Sequence, residues 1–259
     1  MNWFEALILG LVQGLTEFLP VSSSGHLEIA QAIFRIRPAE SFYFVIVVHG
    51  ATVLSTLVVF WQEIVKLIKG TFQFRVTEEM NYMGKIIVSM IPVVLVGLFF
   101  KDFVEGLFSG NLLATGIEFL ITALLLALAH FIKPKERDIT YLHSFIIGIA
   151  QAVAVIPAIS RSGATIATGL LLGNRKEEIT KFSFLMVLVP VIGANMLEMV
   201  KGNNAGDKIA IPVLLLGFLV AFISGYFACK WMINLVKRSK MIWFAVYCAL
   251  IGLLSVLLA

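Results

Sequence analysis

Three long stretches of this chain contain no Asp, Glu, Lys or Arg: Ser41 to Trp61, Ile209 to Cys229 and Met241 to Ala259. A helix needs about 20 apolar residues to cross a bilayer core, so each stretch is a candidate span. Two shorter neutral runs, Ile86 to Phe100 and Phe182 to Leu197, fit the same role if their flanking charges snorkel to the interface. Leu112 to Ile132 joins them, with Glu118 inside it. Composition agrees, with 59% of 259 residues apolar and 14% charged, against roughly 25% charged in a soluble domain. The first apolar stretch lacks a basic n-region and carries Glu5 and Glu17, so it does not read as a cleaved signal peptide. The net charge of +4 does not point to nucleic acid. Lys and Arg gather at span ends rather than in a patch interleaved with aromatics, so no nucleic-acid partner is expected. Cys229 and Cys248 lie in apolar runs and imply neither a disulfide framework nor a metal cluster.

The chain repeats itself. At a constant offset of 138, Gly10 meets Gly148, Gln13 meets Gln151, Ser22 meets Ser160, Ser24 meets Ser162 and Gly25 meets Gly163. Pro20 and Pro157 miss each other by one position. Phe42-Tyr43-Phe44 resembles Phe182-Ser183-Phe184 further on. Each unit, 1–138 and 139–259, opens with a segment broken near its middle by Pro, Ser and Gly, about 4–33 and 143–173. Three spans follow each, about 41–61, 83–101 and 112–132, then 181–200, 209–230 and 241–258. Backbone freed from a helix cannot face lipid, because each unpaired polar group costs several kcal/mol. The broken segments therefore read as re-entrant helix-loop-helix hairpins lining a cavity. Three spans between them is an odd number, so the second unit must be upside down. The expected fold is an all-α integral membrane protein: six transmembrane helices plus two re-entrant hairpins in an inverted-topology repeat, the hairpins meeting near the midplane.

Loop charge orients it. Arg35, Arg37, Lys101, Lys201 and Lys208 fall on one side. Lys66, Lys69, Arg75, Lys85, Lys133, Lys135, Arg137, Arg175, Lys176, Lys181, Lys230, Lys237, Arg238 and Lys240 fall on the other. Five against fourteen makes the second side cytoplasmic and places both termini outside.

The first break reads Gln13-Gly-Leu-Thr-Glu17-Phe-Leu-Pro-Val-Ser22-Ser23-Ser24-Gly25-His26, and the second Gln151 through Pro157 to Ser160-Arg161-Ser162-Gly163-Ala-Thr165. A charge at the centre of a spanning helix costs about 2.5–3.5 kcal/mol on insertion scales. Glu17 and Arg161 therefore belong together or in water, and the inverted repeat offers one place for both. The mixture suits phosphate. Arg161 supplies a planar fork of donors that stays charged. Ser160, Ser162, Ser22, Ser24, Gly163 and Thr165 supply hydroxyls and helix N-terminal N–H groups, which favour an anion. Ser23 is a candidate nucleophile, with His26 as its acid or base. Glu17, with Gln13, is a candidate holder of a divalent metal, Mg²⁺ or Ca²⁺. The bland reading of Gly10-x-x-x-Gly14 is helix packing. His49 and His143 read as packing or interface residues, and Glu118 is not placed.

At these segments the sequence closely resembles the undecaprenyl-diphosphate phosphatases of the bacitracin-resistance family. That family carries Glu/Gln-x-x-x-Glu, then Pro-Val-Ser-Ser-x-Gly-His, and later Pro-Gly-x-Ser-Arg-Ser-Gly. Here they stand as Gln13-Gly-Leu-Thr-Glu17, Pro20 to His26, and Pro157-Ala-Ile-Ser-Arg-Ser-Gly163. The resemblance runs the length of the chain. It implies hydrolysis of a C55 isoprenyl diphosphate to the monophosphate used in cell-wall (peptidoglycan) synthesis, in the bacterial cytoplasmic membrane, with bacitracin resistance as a consequence. It also implies catalytic or metal-linked roles for Glu17, Ser23, His26 and Arg161. Gln13 stands where many members have Glu, and Ala158 where Pro-Gly is usual. Whether Ser23 or water attacks phosphorus stays open, as does a homodimer. The rival readings are a transporter or flippase of a phosphorylated prenyl lipid, and a non-catalytic membrane scaffold.

Overall fold

The computed structural model describes residues 1–73, 75, 77–100, 106, 111–132, 135–201, 209–238 and 241–259. Lys101, Lys133, Lys208 and Lys240 of the loop-charge argument fall outside them. The described chain is helical throughout: α1 (Trp3–Phe18), α2 (Ser23–Phe34), α3 (Pro38–Val59), α4 (Trp61–Thr71), α5 (Glu78–Phe99), α6 (Leu112–Phe131), α7 (Tyr141–Val153), α8 (Arg161–Leu171), α9 (Lys176–Lys201), α10 (Ile211–Arg238) and α11 (Ile242–Leu257). Five of these, α3, α5, α6, α9 and α10, are long and apolar enough to cross a membrane. The chain is thus an all-α, multi-pass membrane protein. Its outer surface is apolar: along α5, Ile87, Ile91, Val94, Leu95 and Leu98 are all exposed, a stripe at helical spacing that suits lipid rather than water.

Two differences from expectation have physical reasons. The sixth expected span, α11, has 16 residues. At 1.5 Å per residue it reaches about 24 Å, short of a core about 30 Å thick. A further helix, α4, fills the connection after α3. It is short and two-faced, with Glu63 in its first turn and Lys69 in its last, placements that favour its dipole. Lys66 on α4 pairs with Glu79 of α5 at 3.3 Å, and Lys181 of α9 pairs with Glu63 at 2.9 Å.

Both broken segments fold as helical hairpins with their ends together. The rings of Phe4 and Phe34 meet edge to face at 6.1 Å, closing the base of α1–α2. The base of α7–α8 is closed where Arg137 N–H donates to the Gly173 carbonyl at 3.0 Å and Asn174 Nδ2 lies 3.0 Å from His143 Nδ1. The first base adjoins the start of α3. The second adjoins the start of α9, which the Lys181–Glu63 pair ties to the first turn of α4, just past the far end of α3. α3 has 22 residues, about 33 Å of helix, so the two bases lie at opposite ends of it.

Glycine sets how closely the hairpins dock. α1 packs along α10, and α7 along α5. A Cβ on Gly148 would sit 2.3 Å from the Ser89 carbonyl oxygen, and one on Gly10 would sit 2.8 Å from that of Gly217. Residues matched by the offset thus make the same kind of crossing. Gly14 is similarly pressed against Ser224 of α10, so the packing reading of Gly10-x-x-x-Gly14 holds.

Candidate active site

The site forms where the two hairpin tips meet. Each tip is a break between helices, and its freed backbone groups find partners on the other hairpin or on α6. Ser24 Oγ accepts from Ala158 N–H at 3.2 Å, and Ser162 Oγ donates to the Leu19 carbonyl at 3.1 Å. Thr122 Oγ1 of α6 accepts from Ser160 N–H at 3.2 Å. Ser22 caps α2 by accepting from Gly25 N–H at 3.2 Å, and Ser160 caps α8 by accepting from Gly163 N–H at 3.0 Å. Serine is a favoured N-cap for this reason. The serine and glycine positions matched at offset 138 therefore do the same jobs in both hairpins. In the protein as it stands, these hydroxyls support the breaks. The Ser22 and Ser24 hydroxyls also lie 3.3 Å apart, as do those of Ser160 and Ser162. Thr165 is buried, donating to the Arg161 carbonyl at 2.8 Å and lying 2.5 Å from Ser183 Oγ.

Between the tips lies one carboxylate with several partners. Arg161 NH2 donates to Glu17 Oε1 at 3.1 Å. Ser23 Oγ donates to Glu17 Oε2 at 2.5 Å, and Gln13 Nε2 donates to the same oxygen at 2.9 Å. The paired charge offsets the cost each would bear alone. Glu17 lies in the last turn of α1, while Ser23 and Arg161 open α2 and α8, so two helix N-termini point at this region. Sequence reasoning missed a further neighbour, His49. Its Nε2 lies 3.9 Å from Glu17 Oε2, and its place inside an uncharged run of α3 concealed that.

His26 is not where its spacing from Ser23 suggested. It does not join Glu17. Its Nδ1 lies 2.6 Å from the Ser22 carbonyl oxygen, and its Nε2 2.7 Å from the hydroxyl of Tyr247 on α11. Phe119 packs edge to face on its ring at 5.1 Å. His143 bonds Asn174 at the hairpin base, a structural role. Glu118 has Glu28 of α2 as its charged neighbour, and Glu28 accepts from Thr115 at 2.7 Å.

The donor set can be tested against a hard divalent cation. Among the described residues no three His, Cys, Asp or Glu cluster as metal ligands. Gln13, however, is fully buried and its Oε1 has no partner among the described residues, a costly state for an amide oxygen. One carboxylate beside a free amide oxygen fits an ion that completes its shell with water and substrate phosphate, as Mg²⁺ does. Gln151 is also buried, with neither amide atom partnered among the described residues. Val155 stands there at the position matching Glu17.

An open apolar groove of about 290 Å³ lies between α2, α6 and α11, lined among others by Ile29, Ile33, Leu112, Ile251 and Leu254. Ile29 is three residues beyond His26, and Ile251 four beyond Tyr247, so the groove begins about one turn from the His26–Tyr247 contact.

Residues 6–254 match the family described as bacitracin resistance protein BacA. A Parabacteroides distasonis protein named undecaprenyl-diphosphatase is 54% identical over 99% of this chain and 98% of its own. One of the same name from Bacteroides thetaiotaomicron is 52% identical over 98% and 97%. A third, from Methanococcus vannielii, is 40% identical over 96% and 97%.

Proposed function

The chain belongs to the bacitracin resistance protein BacA family, and from that premise we propose that it hydrolyses undecaprenyl diphosphate to undecaprenyl phosphate and inorganic phosphate. The observation that carries this reading is the Ser23–Glu17–Arg161 arrangement. A transporter needs an anion site but has no need of a serine hydroxyl donating to a carboxylate at 2.5 Å. On this reading Glu17 is the base and Ser23 the nucleophile, and the contact between them supports it.

In this mechanism the prenyl chain lies in the groove between α2, α6 and α11, and the diphosphate reaches the hairpin tips. Arg161 turns from Glu17 to the terminal phosphate, where its fork of donors holds charge as it develops. Ser23 Oγ bonds to the terminal phosphorus, and the bond from that phosphorus to the bridging oxygen breaks. Undecaprenyl phosphate leaves, and the Ser23 proton passes to Glu17 Oε2. Water then attacks the phosphoserine and the phosphorus–Oγ bond breaks. Glu17 returns its proton to Ser23, and inorganic phosphate departs. Glu17 and Gln13 Oε1 would hold a divalent cation, Mg²⁺ or Ca²⁺. When bound, it supplies positive charge to the diphosphate oxygens.

The same reading takes both hairpins as re-entrant and the chain as six spans in an inverted repeat. It is supported by the two bases at opposite ends of α3 and by the paired jobs of Ser22 and Ser160. It places the chain in a cytoplasmic membrane, with both termini outside.

The test is phosphate release from a C15 or C55 prenyl diphosphate by purified protein in detergent, with Mg²⁺, Ca²⁺ or EDTA. Wild type is expected to release phosphate with metal and to lose activity in EDTA. Folded Arg161→Ala is expected to lose about 100- to 1000-fold, the scale of removing one preorganised charge-stabilising donor. Ser23→Ala and Glu17→Gln should fall to background. Near-normal turnover by Ser23→Ala would make water the nucleophile. No release by folded wild type under any metal would bring the transporter reading forward.

A further inference from the structure

We propose that Tyr247 is the positioning residue for His26, holding the ring by Nε2, its basic nitrogen. The inference rests on the phosphatase reading above. A carbonyl oxygen can only accept, so the 2.6 Å contact to Ser22 requires the hydrogen on Nδ1. A neutral ring then has its lone pair on Nε2, where the Tyr247 hydroxyl donates at 2.7 Å. The two ring planes are parallel to within 1°, with centroids 5.6 Å apart, so the tyrosine ring lies along the imidazole while its hydroxyl meets Nε2. Phe119 braces the ring from its side at 76°. The ring is thereby fixed at both nitrogens and across its face.

The source of the Tyr247 bond is a helix 221 residues away in sequence. α11 is anchored beside it, where buried Cys248 Sγ approaches the Pro20 carbonyl at 3.8 Å. Pro20 belongs to the first break, so α11 touches both the break and the histidine that follows it. Tyr247 itself is 41% exposed, unlike its buried neighbour, and sits about one turn from the apolar groove. A prenyl diphosphate seated in that groove passes Tyr247 before reaching Ser23. Nε2 is the atom with which neutral His26 takes a proton, and in the absence of substrate Tyr247 occupies it. The histidine is thus oriented, with Nε2 turned toward the substrate's entry, while Glu17 attends Ser23. Functional histidines elsewhere depend on such an outer partner to fix the ring's orientation.

Two measurements test this. The first uses wild-type protein with ¹⁵N-labelled histidine. His26, assigned by its loss in His26→Ala, should show a protonated Nδ1 and a bare Nε2. A spectrum with the hydrogen on Nε2 overturns the inference without any Tyr variant. The second compares turnover of a C15 prenyl diphosphate by wild type and Tyr247→Phe, which keeps the ring and removes the hydroxyl. The expected result is a kcat about tenfold lower with KM within twofold, and no further loss when Tyr247→Phe is added to His26→Ala. Wild-type kcat in Tyr247→Phe, or an equal loss in the His26→Ala background, overturns it. Wild type that releases no phosphate at all overturns the phosphatase reading instead, and the ¹⁵N result still decides the tautomer.

Discussion

Ala158 holds a backbone φ of 54° at the second hairpin break. An L-residue in the left-handed region costs roughly 1–2 kcal/mol, and glycine is the residue that avoids that cost. The family motif has Pro-Gly here, whereas this chain has Pro157-Ala158. The conformation is held from outside: Ser24 Oγ accepts from Ala158 N–H at 3.2 Å, and the side chain is fully buried. Ala158→Gly should relieve the strain, offset in part by the roughly 0.5–1 kcal/mol of extra chain entropy that glycine loses. The expected outcome is a thermal midpoint in detergent higher by about 1–4 °C. Ala158→Val should lower it, because a β-branched residue at positive φ is a genuine outlier. A drop for Ala158→Gly would mean that the buried methyl contributes more than the backbone strain costs. The residue scale is also where the sequence was least complete. Glu17, Ser23 and Arg161 were legible because charge and hydroxyls inside apolar runs are costly and stand out. His49 and Tyr247 were not, since each is one polar ring in an otherwise apolar helix and acquires its partner only through tertiary packing. His26 was legible as a functional candidate, but its direction was not. Spacing along α2 places it near Ser23 but does not tell which carbonyl will take its Nδ1.

At the scale of helices, the offset of 138 was informative because the matched residues sit where geometry is unforgiving. Gly148 shows this. A Cβ there meets the Ser89 carbonyl oxygen at 2.3 Å, and a backbone atom cannot swing aside. Gly148→Ala should force α7 away from α5 and cost about 1–3 kcal/mol, as overpacking does. Gly97 of α5 is the control, since among the described residues a Cβ there meets nothing within 4 Å. Gly97→Ala should stabilise its helix by roughly 0.5–1 kcal/mol. Thermal unfolding of both variants in detergent checks the pair, and equal effects would remove close approach as the reason for Gly148. Spans were legible from length and absence of charge, but their ends were not. α5 starts at Glu78 rather than near residue 83, because Thr77 caps it by accepting from Met80 N–H at 3.1 Å. α4 went unread because it is too short and too charged to stand out in a search for spans. What reveals it is its contact with its neighbours, through Lys66–Glu79 and Lys181–Glu63.

The whole molecule turns on whether α11 crosses. With six crossings and two hairpins that return to their own side, the count is even and both termini share a face. If α11, at 16 residues, stopped within the bilayer, the termini would fall on opposite faces. The proposed orientation, drawn from loop charge, has the α4–α5 and α6–α7 connections inside, and hairpin bases at opposite ends of α3 suit an outer first base and an inner second one. Thinning of the bilayer and snorkelling at the ends accommodate a short helix at fractions of a kcal/mol per Å, and α11 packs closely against α6, which favours a crossing. The prediction is made in intact cells with a membrane-impermeant thiol reagent. A cysteine added at either terminus should label from outside, while Lys135→Cys, at an exposed site, should label only after permeabilisation. Cys229 and Cys248 are both buried and should leave a low background. External labelling of Lys135→Cys would invert the orientation, and with it the side from which the diphosphate reaches Glu17. Labelling of the N-terminal cysteine alone would keep the orientation and remove α11 from the spans. Tyr247 would then meet His26 from a helix that turns back inside the bilayer.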